Sequence, residues 1–168
     1  MDYSQRRGVA GSDFRTITAA LPPNVYETYY RDIIGNVSTS KLTYKASQTT
    51  VDLDMRFPLF GGWKSNFYIG YSARLSDFVS AEGNNYKLEL DWITPFANVV
   101  TDELTFQVIL PEGCTDIKSN GAEIGLEGPV YETRLTYLDS KWFGGGRPVL
   151  KFFKKNVVSE HEKKLVKQ

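Results

Sequence analysis

The sequence predicts an all-β fold, an antiparallel β-sandwich, on the strength of two observations. Aromatic residues make up 14% of the 168 residues, and aromatic and β-branched side chains favour the half-buried surfaces of pleated sheets. Apolar and polar residues also alternate in runs of strand length, and turns that contain Gly or Pro separate these runs at short spacing. No amphipathic helix of three turns is indicated before residue 155.

The alternation is clearest between Val51 and Phe57, where every second residue is apolar and the intervening residues are charged. A similar period of two predicts strands at residues 51–57, 67–71, 86–92, 104–110, 130–138 and 149–153. A weaker pattern of the same kind predicts strands at residues 14–20, 25–31 and 40–45. The segments between them have the composition of turns. Gly61-Gly62 predicts a sharp reversal with a positive φ, with the flanking Phe60 and Trp63 folded onto the core.

Three segments follow from this pattern. Residues 1–13 are polar and rich in Gly, so we expect a flexible N-terminal arm, and residues 14–155 form the predicted sandwich domain. Residues 156–168 form a charged C-terminal tail. The spacing of Val158, His161 and Leu165 predicts a short helix there, but a strand without its partner or a frayed end fits the tail equally well.

The charge balance argues against nucleic-acid binding. Lys and Arg together number 20, and so do Asp and Glu, so the formal net charge is zero. A chain with no excess positive charge has little to attract a phosphate backbone.

No run approaches the roughly 20 apolar residues that a membrane span requires. The sequence also lacks zinc-type ligand spacing and a phosphate-binding glycine loop. We therefore expect a soluble chain without a metal or a cofactor.

Catalytic candidates are few. His161 is the only histidine and lies in the charged tail, and Cys114 is the only cysteine and has no histidine nearby in the sequence. Asp52 and Asp54 share a strand face, but exposure to solvent opposite an apolar row accounts for both carboxylates. We therefore assign no catalytic residue, and the chain is predicted not to be an enzyme.

Tryptophan side chains are the candidates for binding. Trp92 belongs to an alternating apolar row and is predicted to be core, whereas Trp63 and Trp142 lie in loops bounded by glycines. A large aromatic side chain exposed on a loop is suited to contacts with a partner. Trp63, Trp142 and Phe143 are therefore the predicted contact residues. A module that binds carbohydrate or glycopeptide by stacking sugars on these rings is the alternative function.

One motif marks a site of modification. Asn36-Val37-Ser38 is an N-x-[ST] acceptor sequence, and it is the only such motif in the chain. A chain of this length carries one by chance often enough that the motif alone is weak. It gains weight only if the chain enters the secretory pathway.

Several segments together resemble one protein family. The most specific is Arg56-Phe57-Pro58-Leu59-Phe60-Gly61-Gly62-Trp63-Lys64. The others lie at residues 29–32, 34–40, 70–71, 109–113, 136–139, 146–149 and 154–158. In this order they resemble the ribophorin I family, and the resemblance runs from about Phe14 to near the end of the chain. Residues 73–103 and 114–135 match it in pattern only.

The resemblance implies a location and a set of partners. Members of this family are subunit 1 of the oligosaccharyltransferase complex of the endoplasmic reticulum, and the chain is similar to the second of two lumenal β-sandwich domains. The full-length protein is then anchored in the endoplasmic reticulum membrane, with this part on the lumenal side and the signal and membrane helix outside the chain. Its partners would be the other subunits of the complex and the nascent polypeptide.

The resemblance also implies a function. The complex transfers a preassembled oligosaccharide from a dolichyl-pyrophosphate carrier to asparagine in N-x-[ST] sequences. Catalysis and its divalent metal belong to a different subunit, so this chain is expected to be a non-catalytic accessory part that supports complex assembly and substrate presentation. The family carries an acceptor in the corresponding segment, which makes Asn36 the expected glycosylation site.

Overall fold

The chain folds into antiparallel β-structure. The computed structural model describes residues 2–4, 13–92, 94–96, 99–135 and 146–158. Within them lie the strands β1 (Asp2–Ser4), β2 (Phe14–Leu21), β3 (Tyr26–Asp32), β4 (Lys41–Tyr44), β5 (Thr49–Leu59), β6 (Lys64–Ser72), β7 (Val79–Glu82), β8 (Asn85–Leu88), β9 (Val100–Ile109), β10 (Glu127–Arg134) and β11 (Arg147–Val158). A short 3₁₀ turn, Leu75–Asp77, precedes β7. The all-β prediction is confirmed.

The described residues form two compact units. The first comprises Met1–Asp91 with Pro95–Ala97, and the second comprises Trp92–Thr94 with Asn98–Gln168. In the described part of the chain, no helix has the length and apolar character needed to cross a bilayer.

The first unit contains two three-stranded sheets and a hairpin. One sheet has the strand order β2-β5-β4 and the other has the order β1-β6-β3, while β7 pairs with β8. β5 is the central strand of its sheet, and its side chains Val51, Leu53 and Met55 are buried because residues two apart project from the same face of a strand. The inward row predicted from the alternation is confirmed at these three positions.

The two sheets of the first unit face each other across an aromatic core. Tyr30 on β3 packs edge-to-face on Phe67 of β6, with ring centroids 5.7 Å apart. Phe67 packs in turn on Phe96, at 5.9 Å. The Tyr30 hydroxyl lies 3.4 Å from the sulfur of Met55, on the opposite sheet. This unit is therefore a β-sandwich, with side chains from both sheets interleaved between the layers.

The second unit is built on β11, which lies between β9 and β10. Its core contains Trp92, Leu126, Leu150 and Phe152. Gly121 is buried against the Phe152 ring, and a Cβ atom at position 121 would lie only 2.3 Å from a ring carbon. The absence of a side chain at Gly121 therefore lets the loop before β10 approach the sheet closely.

Two of the predicted strands have different limits in the structure. The strand expected at 86–92 ends at Leu88, and Tyr86 is 77% exposed. Among the described strands, β8 pairs only with β7, whose side chains are mostly exposed. Trp92 is buried, as predicted, but in the core of the second unit. The strand expected at 149–153 extends from Arg147 to Val158. The first residues of the predicted tail are therefore strand, and the predicted C-terminal helix otherwise lies outside the described residues.

Phe57 also differs from its prediction. The alternation assigns its side chain to the core with Val51 and Leu53, yet it is 60% exposed. The pairing of β5 with β2 shifts in register between Phe14 and Thr16, and such an irregularity interrupts the inward and outward alternation of a strand.

We expect the Leu53→Ala substitution to lower the free energy of unfolding by about 2–5 kcal/mol, because it removes a fully buried side chain and leaves a cavity. The matched control is Leu75→Ala, at a position that is 73% exposed, where a change within about 0.5 kcal/mol is expected. Urea denaturation of both variants measures the difference. Equal effects would contradict the assignment of Leu53 to the core.

Candidate functional site

A tight turn after β3 presents the predicted acceptor, Asn36. The Asp32 carboxylate accepts hydrogen bonds from the backbone N–H groups of Ile34 and Gly35, each at 2.9 Å. The Asp32 N–H donates to the Gly35 carbonyl at 3.0 Å. Gly35 has a φ of +145°, which residues with L side chains rarely adopt. These contacts reverse the chain immediately before Asn36.

An arginine from the opposite sheet holds this turn in place. Arg56 on β5 forms a two-point ion pair with Asp32, with Nε 2.5 Å from Oδ2 and Nη2 3.1 Å from Oδ1. The same Nη2 group donates to the carbonyl oxygens of Asn36 at 3.2 Å and Gly35 at 3.4 Å. One guanidinium group therefore binds both the Asp32 side chain at the start of the turn and the backbone carbonyls of Gly35 and Asn36 at its end.

The ion pair also sets the protonation of Asp32. The hydrogen bond from Arg56 is the main cause that lowers the pKa of Asp32 from 3.8 to about 2. Burial opposes it, and the N–H groups of Gly35 and Ile34 lower the pKa further. The Asp32 side chain is only 10% exposed and that of Arg56 is 31% exposed. Asp32 is thus a stable anion that fixes the turn at neutral pH.

Asn36 is exposed on a backbone that is fastened on both sides. It forms an isolated antiparallel bridge with Arg31 on β3, and the Val37 N–H donates to the Tyr30 carbonyl at 2.9 Å. The Val37 side chain is buried, whereas Asn36 and Ser38 are exposed. The side chain of Asn36, the predicted glycosylation site, is therefore accessible to solvent.

A group of exposed tyrosines lies on the neighbouring strands. Tyr29 on β3 and Tyr68 on β6 pack edge-to-face with centroids 6.4 Å apart, and the Arg31 guanidinium lies 5.7 Å from the centre of the Tyr68 ring. We call Tyr29, Arg31 and Tyr68 the tyrosine face. All three project from the outer side of the sheet, away from the buried Tyr30.

The sequence analysis missed the tyrosine face. β3 contains a register shift between Tyr26 and Tyr29, and Glu27 within it has a φ of +51°. This bulge breaks the period of two, so no clear alternation marks the strand. The pairing of β3 with β6 also joins residues that are 35 to 46 positions apart. The one available signal was the unusual density of tyrosine between positions 26 and 30.

Of the predicted contact residues, Trp63 is described by the structure. It ends a tight turn in which its N–H donates to the Phe60 carbonyl at 3.0 Å, and Gly62 has a φ of +85°. The predicted reversal is confirmed, but its aromatic side chains are not folded onto the core. Phe60 is 46% exposed and Trp63 is 54% exposed, and the two rings pack on each other at 5.3 Å. Trp142 and Phe143 lie outside the described residues.

The carboxylate pair considered for catalysis has a simple structural role. Asp52 accepts a hydrogen bond from the Thr18 hydroxyl at 2.7 Å, and Asp54 accepts one from the Thr16 hydroxyl at 2.8 Å. Each is a cross-strand pair between β2 and β5. Among the residues that the structure describes, no three His, Cys, Asp or Glu side chains are grouped to hold a metal ion. Cys114 is an exposed free thiol, and His161 lies outside the described residues.

The fold and the site together define the class of this protein: an all-β module that carries an exposed N-x-[ST] sequence on a clamped turn and half-exposed aromatic side chains beside it. Comparison with known families assigns residues 1–167 to the family described as Ribophorin I. The chain belongs to the ribophorin I family, as the resemblance predicts.

The curated relatives are longer proteins. The chain is 39% identical over 162 residues to "Dolichyl-diphosphooligosaccharide--protein glycosyltransferase subunit 1A" of Arabidopsis thaliana, a match that covers 96% of this chain and 25% of that protein. Subunit 1B of Oryza sativa subsp. japonica is 39% identical over 165 residues, with 96% and 33% covered. Subunit 1 of Caenorhabditis elegans is 35% identical over 163 residues, with 96% and 27% covered. The chain thus spans about a quarter to a third of the length of these relatives.

We expect the ion pair between Asp32 and Arg56 to make stability depend on pH in the acid range. The pKa of Asp32 is lower in the folded chain than its ordinary value of 3.8, so its contribution to stability is complete above about pH 4 and is lost as the pH falls toward 2. The Asp32→Asn variant should therefore be less stable than the parent at pH 7. The difference should shrink between pH 4 and pH 2, as followed by thermal unfolding.

The control for this measurement is Glu123→Gln, which changes an exposed carboxylate of the second unit. It should leave the dependence of the unfolding temperature on pH close to that of the parent chain. If Asp32→Asn and Glu123→Gln behave alike, the ion pair does not stabilise the turn.

Proposed function

We propose that this chain is a non-catalytic lumenal module of the ribophorin I subunit of the oligosaccharyltransferase complex. It would support the N-linked glycosylation of proteins by helping the complex to assemble and to present its substrates. The observation that carries the proposal is the match over 96% of this chain to relatives named as subunit 1 of a dolichyl-diphosphooligosaccharide–protein glycosyltransferase.

The proposed setting is the lumenal side of the endoplasmic reticulum membrane. The relatives are three to four times as long as the match, so a longer subunit has ample sequence for an anchor outside this segment. In that setting residues 14–155 form the lumenal module, and its partners are the other subunits and the nascent polypeptide. In that setting the exposed N-x-[ST] sequence gains weight, because such a sequence is an acceptor for N-linked glycosylation in a secreted or lumenal protein.

The non-catalytic assignment rests on residue chemistry. The only histidine lies in the C-terminal tail and the only cysteine is an exposed thiol. The carboxylates of Asp52 and Asp54 are engaged by threonine hydroxyls. This residue chemistry fits what the resemblance to the ribophorin I family implies. On that ground we propose that the catalytic centre and its divalent metal lie in another subunit, and that this chain acts through its surface.

Trp63 is the leading candidate for contact with a neighbouring subunit. The tight turn from Phe60 fixes its backbone, and the stacked Phe60 ring limits the conformations of its side chain. A tryptophan restricted in this way loses less conformational entropy on binding, and tryptophan is enriched among the residues that dominate interfaces. Trp142 and Phe143 remain candidates by their sequence context.

We expect Trp63→Ala in the full-length subunit to weaken its association with the complex. Loss of a central interface tryptophan costs about 2 kcal/mol or more, which is roughly a 30-fold loss of affinity. Affinity purification of the subunit from cells that lack the parent protein, followed by quantitation of the other subunits and of sequon occupancy on secreted proteins, measures the effect.

The matched control is Tyr44→Ala, which removes another exposed aromatic side chain from the first unit. It should leave the recovery of the complex unchanged. Full recovery of the complex with Trp63→Ala would exclude this turn from the interface.

We expect Asn36 to carry an N-linked glycan in protein isolated from cells that glycosylate. Treatment with a peptide-N-glycosidase should lower the mass of the intact chain and convert Asn36 to aspartate, as peptide mass spectrometry detects. The Asn36→Gln variant should show neither change. An unmodified Asn36 peptide in untreated protein would refute the assignment.

A carbohydrate-binding module is the second candidate, and the exposed Trp63 is the observation in its favour. Titration of the chain with oligomannose glycans, monitored by tryptophan fluorescence, separates the two candidates. A saturable change in the fluorescence of the parent chain would support glycan binding. No response at millimolar glycan would favour a role in assembly alone.

A further inference from the structure

The pairing of three chain segments places Asn36 in line with the tyrosine face. Asn36 bridges to Arg31, and Arg31 is paired with Tyr68 on β6. Directly opposed residues in antiparallel pairs project from the same side of a sheet. Asn36, Arg31 and Tyr68 therefore form one row across the outer side, and the adjacent Tyr30 and Val37 are buried on the other side.

The far end of this row is a firm aromatic surface. Tyr68 is 50% exposed, and Tyr29 supports it edge-to-face. The Tyr29 ring lies directly against the backbone of Gly70, where a Cβ atom would be only 2.2 Å from the ring. Because Gly70 has no side chain, the Tyr29 ring packs directly on the sheet backbone and leaves the outer surface of the row accessible to solvent.

We infer that the glycan attached to Asn36 folds back along this row and packs its first sugar rings on Arg31 and Tyr68. The inference rests on the proposed glycosylation of Asn36. Neighbouring strands are about 4.8 Å apart, so Tyr68 lies roughly 10 Å from Asn36 across two strand spacings. The asparagine side chain and the first sugar rings together cover that distance.

The chemistry of the row matches the start of an N-linked glycan. The N-acetylhexosamine ring presents axial C–H bonds on its faces, and these pack on the electron-rich face of an aromatic ring. Its acetyl and hydroxyl oxygens accept hydrogen bonds, and the Arg31 guanidinium offers several N–H donors beside the ring. The tyrosine face thus supplies both an apolar surface and donors.

The covalent link favours this occupant over a free ligand. A tethered group acts at an effective concentration in the millimolar range or higher when its tether matches the span. The Asp32–Arg56 ion pair fixes the turn, and the bridge to Arg31 fixes the backbone of Asn36. The attachment point is therefore held beside the row, so little conformational freedom is lost when the glycan packs.

The test uses the chain secreted from a glycosylating eukaryotic cell, with the occupancy of Asn36 first measured by intact mass. The rate at which peptide-N-glycosidase releases the glycan from the folded protein is then compared between variants. We expect Tyr68→Ala to be deglycosylated about 2- to 10-fold faster than the parent, the factor that corresponds to one aromatic contact. Tyr68→Phe should match the parent because it keeps the ring, and Tyr44→Ala, on the other sheet, should also match it.

A second measurement guards against a folding defect in Tyr68→Ala. Its unfolding temperature is compared with that of its parent in the glycosylated chain and again in the Asn36→Gln background. We expect Tyr68→Ala to lower the unfolding temperature by about 2–4 °C more in the glycosylated chain, the shift that one modest contact produces in a domain of this length. Arg31→Ala, which keeps the ring, should show a smaller effect of the same sign.

The outcomes separate this inference from the proposed function. A chain without a glycan at Asn36 would overturn both the glycosylation and the packing. A glycosylated chain in which Tyr68→Ala and Tyr44→Ala are released at the same rate would overturn the packing alone. Equal loss of stability from Tyr68→Ala with and without the glycan would also overturn it, because the ring would then serve only the fold.

Discussion

The ion pair between Asp32 and Arg56 joins the two sheets of the first unit. It lies at the turn that carries Asn36, beside the tyrosine face. Asp32 is the last residue of β3, and Arg56 lies on the central strand β5 of the opposite sheet. Charges attract more strongly when the surrounding protein shields them from water. This carboxylate is shielded and also accepts two backbone N–H groups, so the pair acts as one hydrogen-bonded unit.

The position of the sequon follows from that arrangement. Arg56 donates to the carbonyls of Gly35 and Asn36 as well as to Asp32, and β5 is itself anchored by the buried side chains of Val51, Leu53 and Met55. The packing of the core therefore determines where Asn36 lies, and the bridge to Arg31 places it beside the tyrosine face. A surface held this rigidly loses little entropy when a partner or a glycan covers it.

This arrangement is consistent with a module that works through its surface. Aromatic side chains such as Trp63 and Tyr68 are half-exposed on turns and strands whose backbones are hydrogen-bonded. Acidic side chains that could suggest chemistry from the sequence are instead bonded across strands, as Asp52 is to Thr18. The rigid sandwich is thus suited to positioning neighbours, in keeping with relatives that are named as subunits of a larger enzyme.

The comparison of sequence and structure shows where local patterns suffice. The alternation at Val51, Leu53 and Met55 correctly predicts their burial, because a strand with one buried face requires a period of two. The same reasoning fails for Phe57, where the register against β2 shifts. It also fails for residues 89–92, where the chain leaves the exposed hairpin and Trp92 joins a second core. In each failure a contact with a distant segment determines the outcome.

The amino-acid sequence by itself determined the all-β class, most strand positions, the reversal at Gly61-Gly62, the N-x-[ST] motif and the family, because each depends on residues that are close together or on a recognisable order of segments. Tertiary structure alone decided that Asp32 meets Arg56, that the bulge at Glu27 turns Tyr29 outward, and that Asn36 lies in line with Tyr68. Asp32 and Arg56 are 24 positions apart, and Tyr29 is paired with Gly70, which is 41 positions away. Such relations depend on strand register, which the folded core selects and no local pattern encodes.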